Sequence, residues 1–154
     1  MPNQTTPDPY DLQRFVTAQE SVYASVLQEL KAGQKRTHWM WFIFPQVDGL
    51  GMSETTRFFA IKSLPEALAY LAHPILGRRL RECVSILLTL EGRSAHDIFS
   101  SPDDLKLQSC LTLFSTIAED PVPFRRVLDK YFNSRNDART LEILNSWRNW
   151  QANL

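Results

Sequence analysis

The stretch His38-Trp39-Met40-Trp41-Phe42-Ile43-Phe44-Pro45-Gln46 decides how this chain folds. Six large apolar side chains in a row are too few to cross a bilayer, which takes about 20 residues as a helix, so the run must be buried in protein. Its polar ends, His38 and Gln46, need hydrogen-bond partners once the chain is folded. Such a segment is typical either of the wall of a ligand pocket or of the centre of a fold.

Periodicity does not decide between helix and strand for this run, because an uninterrupted apolar segment suits either one when it is buried. A strand needs partners, and no other segment of the chain alternates apolar and polar residues with period two. A helix that is apolar all round is what the centre of a helical domain requires. We therefore predict a helix from about Thr37 to Phe44, ended by Pro45 and followed by a loop that contains Gly49 and Gly51.

Amphipathic helices are predicted on both sides of the aromatic run. Apolar residues recur at three- and four-residue spacing from Leu12 to Leu30, after a predicted N-cap at Asp11 and before Gly33, which suits a left-handed helix end. Further helix starts carry a serine or aspartate cap, in three cases with a proline one or two residues later: Ser53, Ser63, Ser94, Ser101 and Asp120. The pattern predicts an all-α fold, a compact single-domain bundle of about seven or eight helices around a central aromatic helix.

Length and composition fit one domain. With 154 residues, 44% of them hydrophobic, the chain can bury a sizeable core. Residues 1–9 are polar and rich in proline and are predicted to be a flexible N-terminal tail, and residues 10–154 a single helical domain. No apolar leader is present, and Cys83 and Cys110 fall in apolar helical patterns, so we expect buried thiols in a cytoplasmic protein.

The charge balance argues against a nucleic acid or a membrane surface as partner. Seventeen basic residues offset seventeen acidic ones, whereas general attraction to phosphates needs net positive charge. Residues 31–93 nevertheless hold nine basic and five acidic side chains, with a small cluster at Arg78, Arg79 and Arg81. This cluster either meets a small anion or forms a solvated helix face.

Three segments carry a family resemblance: residues 36–46, residues 70–77 with Arg79-Leu80, and residues 101–106 with Thr112-Leu113-Phe114. Together they resemble an uncharacterised bacterial family, domain-of-unknown-function family 1810, from about Pro9 to Leu144. The resemblance implies a compact all-helical fold, and it carries over no established activity, cofactor or catalytic residue set. Some members are labelled calpastatin, which is a disordered protease inhibitor. The capped amphipathic helices predicted for this chain argue against that label. A second serine often follows the position of Ser109 in the family, and Cys110 here puts in doubt any role for a hydroxyl there.

Chemistry has to come from polar groups near the apolar core, because no Walker loop, GxGxxG, GxSxG or HExxH motif occurs. The candidate ligand-binding residues are polar or aromatic side chains close to the family segments: His38, Trp41, Gln46, Arg79, Asp104, Lys106 and Ser109. Three scattered histidines do not have metal-site spacing, so we predict no metal ligand and no cofactor.

Each candidate has a structural alternative. His38 can act as acid, base or ligand, or it can tie down a helix end. Trp41 can stack on a ring or pack in the core. Gln46 can hold a ligand amide, or it can cap the helix end before Pro45. Lys106 and Ser109 lie three residues apart on one helix and, with Asp104, line either a polar cleft or a solvated face.

Two functions remain open from the sequence. The first is a non-catalytic interaction or small-ligand-binding module, whose partner is a small anionic ligand or a protein. The alternative is an enzyme that acts on a small anionic or nucleotide-like substrate in a pocket lined by His38, Gln46, Arg79 and Lys106. Neither the identity of the ligand nor the oligomeric state follows from the sequence.

Overall fold

The computed structural model describes residues 7–152, so most of the predicted tail and the last two residues lie outside the described part. Within it, the regular structure consists of ten α-helices and one isolated parallel bridge between Val47 and Ile61. The helices in chain order are α1 Gln13–Glu20, α2 Tyr23–Lys31, α3 Met40–Ile43, α4 Glu54–Phe59, α5 Leu64–Ala72, α6 Leu76–Thr89, α7 Ala95–Phe99, α8 Asp103–Ile117, α9 Val122–Phe132 and α10 Ala138–Ala152. The all-α prediction is confirmed, with more helices than the expected seven or eight.

The predicted first helix is divided into α1 and α2 by a break at Ser21-Val22. Its N-cap is also not the expected one. Asp11 has a positive φ of 51°, and the carboxylate of Asp8 instead accepts the backbone N–H groups of Leu12 and Gln13 at 2.8 and 2.9 Å. The predicted left-handed end at Gly33 is confirmed by its φ of 71°.

The aromatic run forms a single helical turn, α3, and not the longer helix predicted from Thr37 to Phe44. The carboxylate of Glu29 on α2 accepts the backbone N–H of Arg36 at 2.6 Å, both donors of Thr37 at 2.7–2.9 Å, and the indole N–H of Trp39 at 3.0 Å. These bonds hold residues 36–39 as a loop against α2. Pro45 prevents extension on the other side.

Helix α8 contributes more buried residues to the core than any other described helix, and the aromatic run packs on it. Leu107 and residues 109–115 of α8 are all buried. Neighbours of α8 include α3, α5, α7, α9 and α10. The core therefore lies on both sides of α8, whose one exposed residue is Leu105 in its first turn.

Several helix ends are satisfied by side chains. The hydroxyls of Ser53, Ser63 and Ser94 accept N–H groups of the helices they begin, as predicted from the sequence. His73 caps the start of α6, since its Nδ1 accepts the N–H groups of Ile75 and Leu76 at 3.1 and 3.2 Å.

Both cysteines are free and buried, as expected. Burial raises the pKa of the Cys83 thiol to about 12 and raises the pKa of Cys110 in the same direction. Both thiols are therefore protonated at neutral pH. Among residues 7–152, no helix combines the length and the apolarity needed to cross a membrane.

Candidate functional site

A surface cleft of about 420 Å³ lies where the loop after the aromatic run meets the starts of α4, α8 and α10. Its volume is within the range of small-molecule sites. The lining residues are Gln46, Leu50, Gly51, Thr56, Pro102, Leu105, Lys106, Ser109, Asp137 and Arg139. The cleft thus combines an amide, two hydroxyls, a carboxylate and two cations with a few apolar side chains.

Lys106 is held on the wall of the cleft by an anion and an aromatic ring. Its Nζ lies 3.4 Å from the carboxylate of Asp103 and 5.1 Å from the ring centroid of Trp41. Asp103 is shared, because Lys35 binds its other oxygen at 2.8 Å. The ammonium of Lys106 has three N–H donors and one carboxylate partner, so it keeps donor capacity for a ligand, and its side chain is 24% exposed.

Asp137 ties the start of α10 to the middle of α8. Its Oδ2 accepts the hydroxyl of Ser109 at 3.1 Å and both the backbone N–H and the hydroxyl of Thr140, at 3.1 and 2.5 Å. The backbone N–H of Asp137 donates to the hydroxyl of Thr112 at 2.8 Å. Asp137 is therefore the N-cap of α10, fixed from three sides. Its other oxygen, Oδ1, receives no hydrogen bond from the described residues.

Gln46 lines the same cleft, and the end of α3 is capped by another residue. The carbonyl of Phe42, freed by the early end of α3, accepts the side-chain amide of Gln19 at 2.7 Å. Gln46 uses its backbone carbonyl to bind the N–H of Ile61 at 2.8 Å. Its side-chain amide makes no hydrogen bond within the described part of the chain, which leaves a donor and an acceptor for a ligand.

Trp41 lies beside the cleft. Its side chain is half-buried. A hollow of about 10 Å³ lies between Trp41 and Phe59. Gln46 and Thr56 line both this hollow and the cleft. A space of this size holds at most one water molecule and excludes an aromatic ring. The contact of Trp41 that bears on the cleft is thus the one with Lys106.

Besides Trp41, three of the predicted site residues lie outside the lining of the cleft. Arg79 donates to the side chain of Gln19 at 3.2 Å and stacks over the ring of Tyr23 at 4.7 Å. Asp104 accepts the hydroxyl of Ser101 at 2.9 Å, and its second oxygen lies 3.7 Å from Nδ1 of His96. His38 is exposed, and within the described part of the chain its ring makes no hydrogen bond. The structure brings Gln46, Lys106 and Ser109 together, with Trp41 behind them.

Sequence reasoning missed Thr56, Asp137 and Arg139. A signal was present for the last two. Asp137 precedes the apolar pattern of the final helix as an N-cap residue would, and Arg139 follows in the first helical turn. A cation at that position is unfavourable for the helix, because the N-terminus carries the positive end of the helix dipole.

Two further hollows of similar size are less suited to a polar ligand. One, of about 450 Å³, surrounds Arg14, whose guanidinium is already engaged by Glu66 at 2.7 Å and by four backbone carbonyls. The other, of about 530 Å³, is lined by Leu68, Leu71, Ala72 and Ala118 with a few charged residues. Among the described residues, no three His, Cys, Asp or Glu side chains are grouped so as to hold a metal ion.

Comparisons with known proteins identify the family of this chain. A family model described as "Protein of unknown function (DUF1810)" matches residues 9–144, and the chain belongs to this family. It is similar to the conserved hypothetical protein Rv1873 from Mycobacterium tuberculosis, whose crystal structure has 50% sequence identity and a TM-score of 0.88. The match covers 90% of this chain and 99% of that one. A search of curated proteins found no match. The resemblance noted in the sequence is thereby confirmed.

Proposed function

We propose that the protein binds a small anionic ligand in the cleft between α4, α8 and α10. The observation that carries the proposal is the pairing of two cations, Lys106 and Arg139, in one concave site of about 420 Å³. Next to them the amide of Gln46 can both donate and accept hydrogen bonds. Sites of this size with a few convergent polar groups are the usual form of small-molecule sites.

The position of Arg139 supports this role. The residue is exposed and lies in the first turn of α10, where a positive side chain opposes the helix dipole at a cost of about 0.3–1 kcal/mol. Helix stability therefore does not explain an arginine at this position. An anion bound by Arg139 would also be stabilised by the positive N-terminal end of α10. One anionic group of the ligand would therefore interact favourably with the guanidinium and with the helix dipole.

The lining favours binding over catalysis. The hydroxyl of Ser109 is directed to the carbonyl of Leu105 at 3.2 Å and to Asp137, so it is not paired with a histidine as an activated serine nucleophile would be. The lining residues themselves are suited to holding and orienting a polar molecule. The enzyme hypothesis with His38 and Arg79 has less support, since neither residue reaches this cleft.

A thermal-shift screen tests the proposal. Inorganic phosphate, sugar phosphates, nucleotides and small carboxylates are added to wild type, to Arg139→Ala and to Arg126→Ala. Arg126 is an exposed arginine on α9 outside the cleft, so this variant is a matched loss of one positive charge. A ligand present at a hundredfold excess over its Kd should stabilise wild type by about 2.7 kcal/mol.

The variants distinguish a site from general charge attraction. Arg139→Ala should lose most of the stabilisation by the ligand while its unfolding temperature without ligand stays close to that of wild type. Arg126→Ala should respond like wild type. The proposal is wrong if no compound stabilises the protein, or if both arginine variants respond equally. A protein partner would then be the better hypothesis.

A further inference from the structure

The two carboxylate oxygens of Asp137 have different environments. Oδ2 is surrounded by three donors, from Ser109 and Thr140, whereas Oδ1 receives no hydrogen bond from the described residues. The side chain is half-buried and lines the cleft. A carboxylate oxygen partly removed from water is stabilised by any donor that a ligand can bring to it.

The cleft therefore presents charges of both signs. Lys106 and Arg139 attract an anion, whereas Asp137 in the same lining repels one. A ligand that is anionic at one end and carries a donor at the other would match both features. Asp137 is also held in place before any ligand arrives, through its bonds to α8 and its cap of α10, so little ordering cost remains on binding.

From this arrangement we infer that the ligand of the cleft is bipolar, with an anionic group for Arg139 and Lys106 and an ammonium or hydroxyl group that donates to Oδ1 of Asp137. The inference rests on the proposed function and names its ligand class. Asp137 then determines specificity: it admits anions that carry a donor and disfavours anions that do not.

Matched pairs of probes test this specificity. The first set comprises ω-amino carboxylates, from 3-aminopropanoate to 6-aminohexanoate, each with the unsubstituted carboxylate of the same chain length. The second set is glycerol 3-phosphate with propyl phosphate, so the two sets separate an ammonium donor from a hydroxyl donor. Titration calorimetry on wild type should show, in at least one of the two sets, at least tenfold tighter binding for the donor-bearing probe than for its donor-free partner.

Substitution of Asp137 should change this preference without removing the helix cap. Asp137→Asn keeps a good N-cap oxygen for Thr140 and places an N–H donor where Oδ1 lies, so the preference should disappear or invert. Asp137→Ser, which also caps helices well, is a second variant in case the first is poorly folded, and it should abolish the preference. Arg139→Ala should weaken both members of a pair by a similar factor.

The outcomes separate this inference from the proposed function. If wild type binds both members of every pair equally, and Asp137→Asn leaves both unchanged, the inference is wrong while the cleft remains an anion site. If no donor-bearing probe binds a protein that other anions stabilise through Arg139, the inference is also wrong. If Arg139→Ala has no effect on any ligand that binds, the proposed function itself fails.

Discussion

Glu29 is a buried carboxylate that organises the chain around it through neutral donors. No basic side chain forms a salt bridge with it among the described residues, and backbone N–H groups, a hydroxyl and an indole bind it. Partial burial acts to raise the pKa of Glu29, but these donors outweigh it and lower the pKa to about 2. Glu29 is therefore ionised at neutral pH and holds residues 36–39 in place.

This lowered pKa predicts a loss of stability in acid. The folded-state pKa of about 2 lies below the ordinary value of 4.5, so between these values the unfolded chain binds a proton that the folded protein does not. The contribution of Glu29 is complete above about pH 4.5 and is lost as the pH falls towards 2, up to about 3 kcal/mol. Denaturant unfolding of wild type and Glu29→Gln from pH 7 to pH 2 measures it.

The comparison with Glu29→Gln isolates this residue from the other acids. Glutamine keeps the shape and an acceptor oxygen but does not titrate in this range. The variant should be less stable at pH 7, and its difference from wild type should shrink as the pH approaches 2. A difference that is constant with pH would show that the carboxylate charge is not what holds the loop.

At the scale of elements, the corner between α5 and α6 depends on Gly77. A Cβ at this position would lie 2.0 Å from the carbonyl oxygen of Leu71, a backbone atom that cannot move without shifting the helix. The same carbonyl accepts the guanidinium of Arg81 at 3.3 Å. The glycine therefore permits the close approach of the two helices that form the corner.

Gly77→Ala should destabilise the protein by about 3 kcal/mol or more, at the upper end of overpacking substitutions, although alanine favours helices. Gly92→Ala is the matched control. Gly92 has a φ of 69° and nothing within 4 Å of the added Cβ, so only the left-handed backbone opposes alanine, at about 1–2 kcal/mol. Equal midpoints of urea unfolding for the two variants would contradict the close-approach explanation.

At the scale of the whole molecule, aromatic side chains connect elements that are distant in sequence. Trp39 packs near Phe44 and Phe99, with ring centroids 6.2 and 6.4 Å away. A second row joins α1, α5, α8 and α9 through Phe15, Tyr70, Phe114 and Phe124, with successive centroids 5.0–5.9 Å apart. The two tryptophans of the aromatic run therefore differ in role: Trp39 lies in the core and Trp41 at the edge of the cleft.

This difference predicts unequal costs of truncation. Trp39 is 1% exposed and also bonds Glu29, so Trp39→Ala should cost about 3–5 kcal/mol. Trp41→Ala empties a half-buried site and should cost about 1–2 kcal/mol. Denaturation midpoints of the two variants provide the measurement. A larger loss of stability in Trp41→Ala than in Trp39→Ala would contradict this assignment, because it would mean that Trp41 is the more deeply buried of the two.

Several local features of this fold were predictable from the sequence. Serine caps at Ser53, Ser63 and Ser94 and the left-handed end at Gly33 all depend on residues within four positions of one another, so the sequence pattern contains both partners of each interaction. The apolar stripes of the helices likewise follow from spacing alone. These features were sufficient for the fold class and for the burial of both cysteines.

The contacts that shape the aromatic run and the cleft were decided only by the tertiary structure. The bond from Gln19 to Phe42 spans 23 residues, and the bond from Ser109 to Asp137 spans 28. The bonds of Glu29 reach across the end of α2 to Trp39, ten residues further on, and replace the first turn of the predicted helix. A buried polar group is satisfied by whichever partner the packing brings close, and neither spacing nor helix propensity identifies that partner in advance. The sequence by itself therefore determined the helical class and which helix faces are apolar, and tertiary packing decided how far the aromatic run is helical and which polar residues meet in the cleft.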